Sequence, residues 1–197
     1  MLTIVQPKKD RRKRMSLQIV SVFGAAQLEA DDSAITASEA VGRGLAQAGY
    51  AVMTGGYGGV MEYASKGARE GGGQVIGVTV PYVELIRERV VNPYVTKEVP
   101  CMTYRERLNY LVENADAFVV MPGGVGTLQE LVEAWQMMRI RQLSPRPLVC
   151  YGAFWHSTID YLLASPYVPD EHRKLIQFAE TPEEAVQLIQ TWDKQHP

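Results

Sequence analysis

One stretch of twelve residues, from Val119 to Glu130, constrains the fold more than any other part of the chain. It begins with apolar residues typical of the end of a buried strand, continues through Pro122 into a glycine-rich turn, and leads into an amphipathic helix predicted to begin at Thr127. Glycines allow close approach of the backbone, and the first N–H groups of a helix point outward at the positive end of its dipole. The stretch therefore predicts a phosphate site, with an acid, Glu130, beside it.

The same residues also permit a purely structural interpretation. Thr127 and Glu130 have the spacing of a capping box, in which each side chain accepts a hydrogen bond from a backbone N–H at the start of the helix. A capping box needs no glycine, however, and Gly123, Gly124 and Gly126 precede or surround the proposed cap. The glycines favour phosphate binding.

Composition places few restrictions on function. A chain of 197 residues with 46% apolar content is long enough for one domain with a sizeable core. No apolar run approaches the ~18 residues that a membrane helix needs. Cys101 and Cys150 lack metal-ligand spacing and indicate reduced thiols of a cytoplasmic protein. Three scattered histidines form no metal pattern, so neither a metal nor another cofactor is expected.

Positive charge is concentrated near the amino end. Residues 8–14 hold six cations and one anion, although the whole chain has a net charge of −2. We interpret residues 1–15 as a basic, disordered arm and residues 16–197 as a single domain. Such an arm could contact nucleic acid or anionic lipid, but a solvated tail is the simpler interpretation. Met15 directly follows the basic residues 8–14 and could be the usual start of the protein.

Strand-like and helix-like segments alternate along the rest of the chain. This alternation predicts an α/β protein with an open, parallel, Rossmann-like sheet and helices on both faces. Residues 82–101 lack periodicity and are predicted to form a loop or short helix, and two or three helices close the chain, the last capped by Thr181. The predicted strands are 17–23, 50–54, 74–80, 116–121 and 147–151.

Three glycine turns follow predicted strands, at Gly24, at 55–59 and at 123–126. Ligands bind such sheets beyond the carboxyl ends of the strands, so the three turns are expected to meet at one site. Gly24 alone is explained equally well by tight packing between strand and helix. The run Gly55-Gly56-Tyr57-Gly58-Gly59 is harder to explain by packing, because consecutive glycines fill no volume.

The glycine turns and their neighbours resemble the Lonely Guy family, long labelled possible lysine decarboxylases. The resemblance covers about residues 17 to 165 and rests on segments 54–61, 72–78 and above all 122–130, which reads Pro-Gly-Gly-x-Gly-Thr-x-x-Glu. It implies a Rossmann-like homodimer that hydrolyses the N-glycosidic bond of a nucleoside 5′-monophosphate, cytokinin ribotides included, to a free base and ribose 5-phosphate.

The resemblance also assigns residues to roles. Its catalytic pair maps to Glu130 and to Arg107 on the preceding helix, with Arg105 as the other possible register; a solvated surface cation is the alternative for Arg107. Glu133 would contact the ribose or a second subunit. The phosphate or the rest of the substrate would lie against Gly24, Gly56, Gly58, Gly123, Gly124, Val125, Gly126 and Thr127.

Departures from the family pattern leave the base specificity open. The Lys of an Arg-Lys pair is Leu108 here, Tyr57 and Glu62 replace glycines, and the first turn lacks a serine. A non-catalytic nucleotide or molybdenum-cofactor carrier of the same fold therefore stays an alternative. Lysine decarboxylation would need a Schiff-base lysine, and no lysine lies in a sequence context suited to that role. An NAD-dependent dehydrogenase would need an acidic residue at the end of the second strand, where this chain has none.

A homodimer is also favoured by the helix that begins in the signature. Its predicted core stripe is Leu128, Leu131, Val132, Trp135 and Met138, yet Met137 and Ile140 lie outside this stripe. Apolar residues on a second face of a helix need cover. A partner subunit or the carboxyl-terminal helices of the same chain could supply it.

Overall fold

The computed structural model describes residues 18–29, 31–81 and 90–196. The strands in these ranges are β1 (Ile19–Phe23), β2 (Ala51–Thr54), β3 (Val75–Thr79), β4 (Lys97–Pro100), β5 (Ala117–Val120), β6 (Leu148–Tyr151) and β7 (Gln177–Ala179). The helices are α1 (Ser33–Gln47), α2 (Val60–Glu70), α3 (Tyr104–Glu113), α4 (Val125–Arg139), α5 (Ala153–Leu163), α6 (Asp170–Arg173) and α7 (Pro182–Gln195).

The described strands form one sheet in the order β4-β3-β2-β1-β5-β6-β7, and every neighbouring pair is parallel. The chain runs outward from β1 to β4 and then returns to place β5 on the other side of β1. The direction of winding therefore reverses between β1 and β5, where Val22 pairs with Val119. The predicted Rossmann-like parallel sheet is confirmed, and such a reversal point is where α/β sheets bind ligands.

Apolar side chains cover both faces of the sheet, which is why the central strands are apolar almost throughout. Phe118 and Val120 of β5 belong to the core on one face, together with Trp155 of α5. The alternate residue Val119 belongs to the core on the other face, together with Val41 of α1. Helices on both faces hold the carboxyl ends of β1 and β5 rigidly in place.

Two strands at the edges of the sheet were not predicted. Strand β4 lies within 82–101, where a loop or short helix was expected; that prediction is wrong for 97–100, and residues 82–89 lie outside the described part. Lys97 and Glu98 are exposed, because one side of an edge strand faces solvent and its sequence carries charges instead of an apolar pattern. Strand β7 has only three residues, too few to show a period.

Helix α4 begins two residues earlier than predicted. Its N-cap is Gly124, whose position carries no side-chain cap, and Thr127 is the third helical residue. The capping-box interpretation of Thr127 and Glu130 is therefore wrong. The cap of α7 is confirmed, since the Thr181 hydroxyl accepts a hydrogen bond from the backbone N–H of Glu184 at 3.1 Å.

The predicted core stripe of α4 is only partly correct. Leu131, Trp135 and Met138 are buried, whereas Leu128 and Val132 are 38% and 42% exposed. The helix starts earlier and is rotated so that small residues, Thr127 and Ala134, occupy the buried face instead.

The basic arm, residues 1–15, lies outside the described part of the chain.

Candidate functional site

The first two glycine turns and the signature turn meet at the reversal point between β1 and β5. The backbone N–H of Ala25 donates to the Pro122 carbonyl at 3.0 Å, and that of Val60 donates to the Ala25 carbonyl at 2.8 Å. Gly59 has a φ of +67°, and a Cβ there would lie 2.3 Å from the Ala25 oxygen. A glycine is required at position 59 for both reasons, so the three turns form one rigid floor.

The N-terminus of α4 lies open at this floor. Gly124, Val125 and Gly126 are exposed, and a Cβ added at Gly124 or Gly126 would meet nothing within 4 Å. The first turn of α4 carries no acidic residue. Unpaired N–H groups and the positive end of the helix dipole therefore face open space, which is the requirement for an anion site.

The Thr127 side chain packs against the buried side of the signature turn. It is only 3% exposed, and its hydroxyl would lie 2.2 Å from a Cβ placed at Gly123. Gly123 is needed here because the Thr127 side chain folds back against the turn. The structure therefore brings Gly123 and Thr127 together as the sequence predicted, although Thr127 packs within the helix instead of capping it.

Arg107 is buried and directed at the second glycine turn. It is 6% exposed; its Nε donates to the Val78 carbonyl at 2.7 Å and its Nη2 to the Gly55 carbonyl at 3.0 Å. The alternative of a solvated surface cation is therefore wrong. Arg105 is exposed, so the geometry selects Arg107 as the candidate cation.

Glu130 lies on α4 within electrostatic reach of Arg107. Although the residue keeps some solvent access, burial raises the pKa of its carboxyl to about 7, and the Arg107 cation offsets part of that rise. Burial and the Glu130 charge also raise the pKa of the Tyr104 hydroxyl. A carboxyl group of this pKa can exchange protons near neutral pH. Arg107 therefore lies near enough to the Glu130 carboxyl to influence its protonation.

The remaining candidates are Gly24, Gly56, Gly58 and Glu133. Gly24 packs against Val60, and Gly56 is buried with a φ of +81°. Gly58 lies beside the Glu62 carboxylate, since a Cβ at Gly58 would be 3.8 Å from Glu62 Oε2. Glu133 is half-buried one turn further along α4. Among the described residues it forms no hydrogen bond or ion pair with the other candidates.

An open cavity of about 440 Å³ adjoins the floor on the α2 side, away from Arg107 and Glu130. It is lined by Gln27, Leu28, Glu29, Gly59, Glu62 and Tyr63. Two carboxylates make this cavity a poor phosphate site, because like charges repel. The anion is therefore better placed at α4 than at the N-terminus of α2.

Sequence reasoning did not assign a role to Asn92 or to Tyr57. Asn92 donates from its backbone N–H to the Gly56 carbonyl at 2.9 Å and from its side chain to the Tyr57 carbonyl at 3.0 Å. Tyr57 is buried and lies beside Arg107. A lone aromatic residue within a run of glycines was the available signal for Tyr57, whereas nothing near Asn92 marked it.

The residues that the structure describes contain no group of three His, Cys, Asp or Glu residues able to hold a metal ion. None of their helices combines the length and apolar character needed to span a bilayer.

Comparison with known proteins identifies relatives of this chain. The model of a family described as "Possible lysine decarboxylase" matches residues 61–189. A rice (Oryza sativa subsp. japonica) protein named cytokinin riboside 5′-monophosphate phosphoribohydrolase LOG is 29% identical, over 96% of this chain and 82% of its own length. A second rice protein, named "Probable cytokinin riboside 5′-monophosphate phosphoribohydrolase LOGL2", is 30% identical over 74% of this chain. The match spans only 60% of that relative.

A solved structure with the same fold is the molybdenum cofactor binding protein of the phototrophic bacterium Rippkaea orientalis. Its TM-score is 0.71 at 23% identity, covering 90% of this chain and 98% of that one. This likeness supports the fold alone. The family model covers more than half of the chain and contains the signature turn, Arg107 and Glu130. The chain belongs to the Lonely Guy family, whose model is the one described as "Possible lysine decarboxylase".

Proposed function

We propose that the protein is a nucleoside 5′-monophosphate phosphoribohydrolase, which hydrolyses the N-glycosidic bond to a free base and ribose 5-phosphate. The observation that carries this proposal is that the buried Arg107 lies close enough to Glu130 to lower its pKa, beside the open N-terminus of α4. The names of the rice relatives support the same reaction class.

The 5′-phosphate is assigned to the amides of residues 124–127. A dianion there gains from the helix dipole and from several N–H donors at once. The binding energy of this group can then be used to fix the ribose against the catalytic pair. For this reason a nucleoside that lacks the phosphate should be a far poorer substrate than its 5′-monophosphate.

The catalytic step creates positive charge on the sugar. As the bond from C1′ to the base nitrogen breaks, the ribose gains oxocarbenium character, which the ionised Glu130 carboxylate can stabilise. Water then adds to C1′ and loses a proton to Glu130, while the base leaves with the electrons of the C1′–N bond and takes a proton from solvent water. Glu130 then returns its proton to solvent, so that the net reaction consumes one water molecule. Arg107 polarises the base or holds the substrate.

Incubation with AMP and with a cytokinin riboside 5′-monophosphate tests the proposal. Release of the free base, followed by chromatography, is expected from at least one of them, with adenosine as the unphosphorylated control. Glu130→Gln should abolish release, because an amide can neither accept the proton nor balance the cation. The rice relatives' names make the cytokinin ribotide the first compound to compare with AMP.

A nucleotide or molybdenum-cofactor carrier of the same fold is the second candidate. It is kept because a protein named as a molybdenum cofactor binding protein shares the fold and because Glu62 replaces a glycine of the family pattern. Tight binding of a 5′-monophosphate without base release would support the carrier. Base release from any 5′-monophosphate would exclude it as the sole function.

Lysine decarboxylation is not supported by the residues. It needs a buried lysine able to form a Schiff base. Lys66 instead pairs with Glu39 of α1 at 3.0 Å, and Lys97 and Lys174 are exposed. None of the three lies at the floor formed by the glycine turns.

We also propose that the protein is a homodimer whose interface includes the outer face of α4. Val125, Leu128, Val132 and Ile140 are 85%, 38%, 42% and 47% exposed, and an apolar helix face of this kind needs cover. Met137, by contrast, packs against the core of its own chain.

Light scattering at micromolar concentration measures the mass of the assembly. A dimer of the 21.9 kDa chain is expected, and Val132→Glu should dissociate it by burying a charge. Tyr161→Glu adds the same charge to the exposed face of α5 and serves as the control. A monomeric wild type would exclude the dimer.

We assign the protein to the cytoplasm, because Cys101 and Cys150 are both free thiols.

A further inference from the structure

We propose that Tyr57 is a positioning residue: its ring holds the Arg107 guanidinium in the orientation in which Arg107 acts with Glu130. This role rests on the proposed hydrolase function. Contacts with the surrounding chain hold Tyr57 and Arg107 in place, and the two side chains lie against one another.

Tyr57 itself is held on two sides. The side chain is 2% exposed. Its hydroxyl accepts a hydrogen bond from the Val80 N–H at 2.8 Å and donates to the Val80 carbonyl at 3.1 Å. Its carbonyl accepts from the Asn92 side chain at 3.0 Å. Tyr57 therefore joins the second glycine turn to the chain that leaves β3, and its ring has little freedom to move.

Arg107 lies against this fixed ring. Its Cζ is 5.6 Å from the centroid of the Tyr57 ring, within the range of an attractive cation–π contact. The guanidinium also donates to the carbonyls of Val78 and Gly55. These two acceptors are neutral, so a buried charge gains from the negative face of an aromatic ring.

The sequence around Tyr57 makes the ring conspicuous. Glycines occupy positions 55, 56, 58 and 59, where the backbone must approach other groups closely. A Cβ at Gly55 would lie 1.6 Å from Arg107 Nη2, so the backbone at residue 55 limits how the guanidinium can turn. The Tyr57 ring is the large side chain in this run, and it bounds the cation on a further side.

Tyr57→Met removes the ring and keeps an apolar side chain of similar length. We expect kcat/KM for the 5′-monophosphate to fall roughly 3- to 30-fold, the range of a cation–π contact. In an Arg107→Ala background the same substitution should have little further effect, because the two residues act as a unit. Equal losses in both backgrounds would contradict the proposal and leave Tyr57 with a purely structural role.

The OH group and the ring can be separated. Tyr57→Phe loses the two hydrogen bonds to Val80 and keeps the ring, so it should lower thermal stability more than activity. Tyr50→Phe is the matched control: Tyr50 is also buried, and its hydroxyl donates to Asp193 at 3.2 Å at the far end of β2. The Tyr50→Phe variant should lose thermal stability without a change in kcat/KM.

A readout without turnover keeps this inference separate from the proposed function. Titration of the Glu130 carboxyl by NMR reports how close the Arg107 cation lies, because that cation lowers the pKa of Glu130; Tyr104 is the other titratable group facing it. Tyr57→Met should move the midpoint upward, and Tyr50→Phe should not. This shift is expected even if no 5′-monophosphate is hydrolysed.

If Tyr57→Met fails to fold, pentafluorophenylalanine at position 57 replaces it, compared with Tyr57→Phe. The fluorinated ring keeps the shape but loses the negative face, so it should raise the Glu130 midpoint and lower kcat/KM relative to Tyr57→Phe. A midpoint that is the same in all variants would overturn the role of Tyr57, whatever the activity of the wild type.

Discussion

Removing the charge of Glu130 should stabilise the protein while it abolishes activity. The carboxyl has an ordinary pKa of 4.5 and a pKa of about 7 in the folded protein, because burial disfavours its charged form. The unfolded state therefore loses this proton at a lower pH than the folded state. Between about pH 4.5 and pH 7 the folded protein binds more protons, so wild-type stability falls as the pH rises through this window.

The size of the effect follows from the two pKa values. A difference of about 2.5 units corresponds to about 3 kcal/mol above pH 7 and to less than about 1 kcal/mol at pH 5. Glu130→Gln carries no charge to bury. Relative to wild type, the unfolding free energy of Glu130→Gln should therefore be greater at pH 8 than at pH 5 by about 2 to 3 kcal/mol. That difference is equivalent to about 4 to 12 °C in Tm.

Urea unfolding at pH 5 and pH 8, followed by circular dichroism, measures the difference. Glu133→Gln is the control for stability, since it removes an equal charge from the same helix one turn further on. A stability gap between Glu130→Gln and wild type that is equal at the two pH values would refute the reasoning. It would mean that the Glu130 carboxyl is solvated, and would remove the basis for a proton acceptor that works near neutral pH.

Two glycine substitutions test the floor of the site. Gly55→Ala should reduce kcat/KM about 100-fold, because the new Cβ would lie 1.6 Å from Arg107 Nη2 and would push the guanidinium away. The loss of one buried hydrogen bond should lower the free energy of unfolding by only about 1.5 to 3 kcal/mol. Unchanged activity would contradict this placement of Arg107. Gly59→Ala should cost about 1 to 3 kcal/mol more than Gly72→Ala in urea unfolding. Both glycines have positive φ, but only Gly59 would also press a Cβ on a carbonyl, that of Ala25; equal losses would count against the rigid floor.

The central part of the fold could be predicted because its signals are local. Buried parallel strands are apolar throughout, glycine turns mark their ends, and Thr181 caps the last helix through its own hydroxyl. The edge strands β4 and β7 could not be predicted in this way. Their residues are ordered by pairing with β3 and β6, and a partner distant in sequence leaves no periodic signal in a short, half-exposed segment.

The candidate site was predictable to a similar depth. The signature turn and Glu130 were found from spacing, and Arg107 was found from a family resemblance. The burial of Arg107 was not visible, because it depends on the carbonyl of Gly55, just after β2, and on that of Val78 in β3, both distant in sequence. The start of α4 was misplaced because Thr127 matches a capping pattern, while Gly124, which has no side chain, occupies the N-cap.

The hydrogen bonds that join the three turns use main-chain atoms alone: Ala25 to Pro122 and Val60 to Ala25. Exchange of neighbouring side chains leaves those bonds intact, provided that the glycines stay. Substitutions among the side chains around the floor can therefore change what its surface contacts without rebuilding the scaffold. The fold shared with the molybdenum cofactor binding protein of a phototrophic bacterium, at 23% identity, is consistent with a scaffold fixed by its main chain.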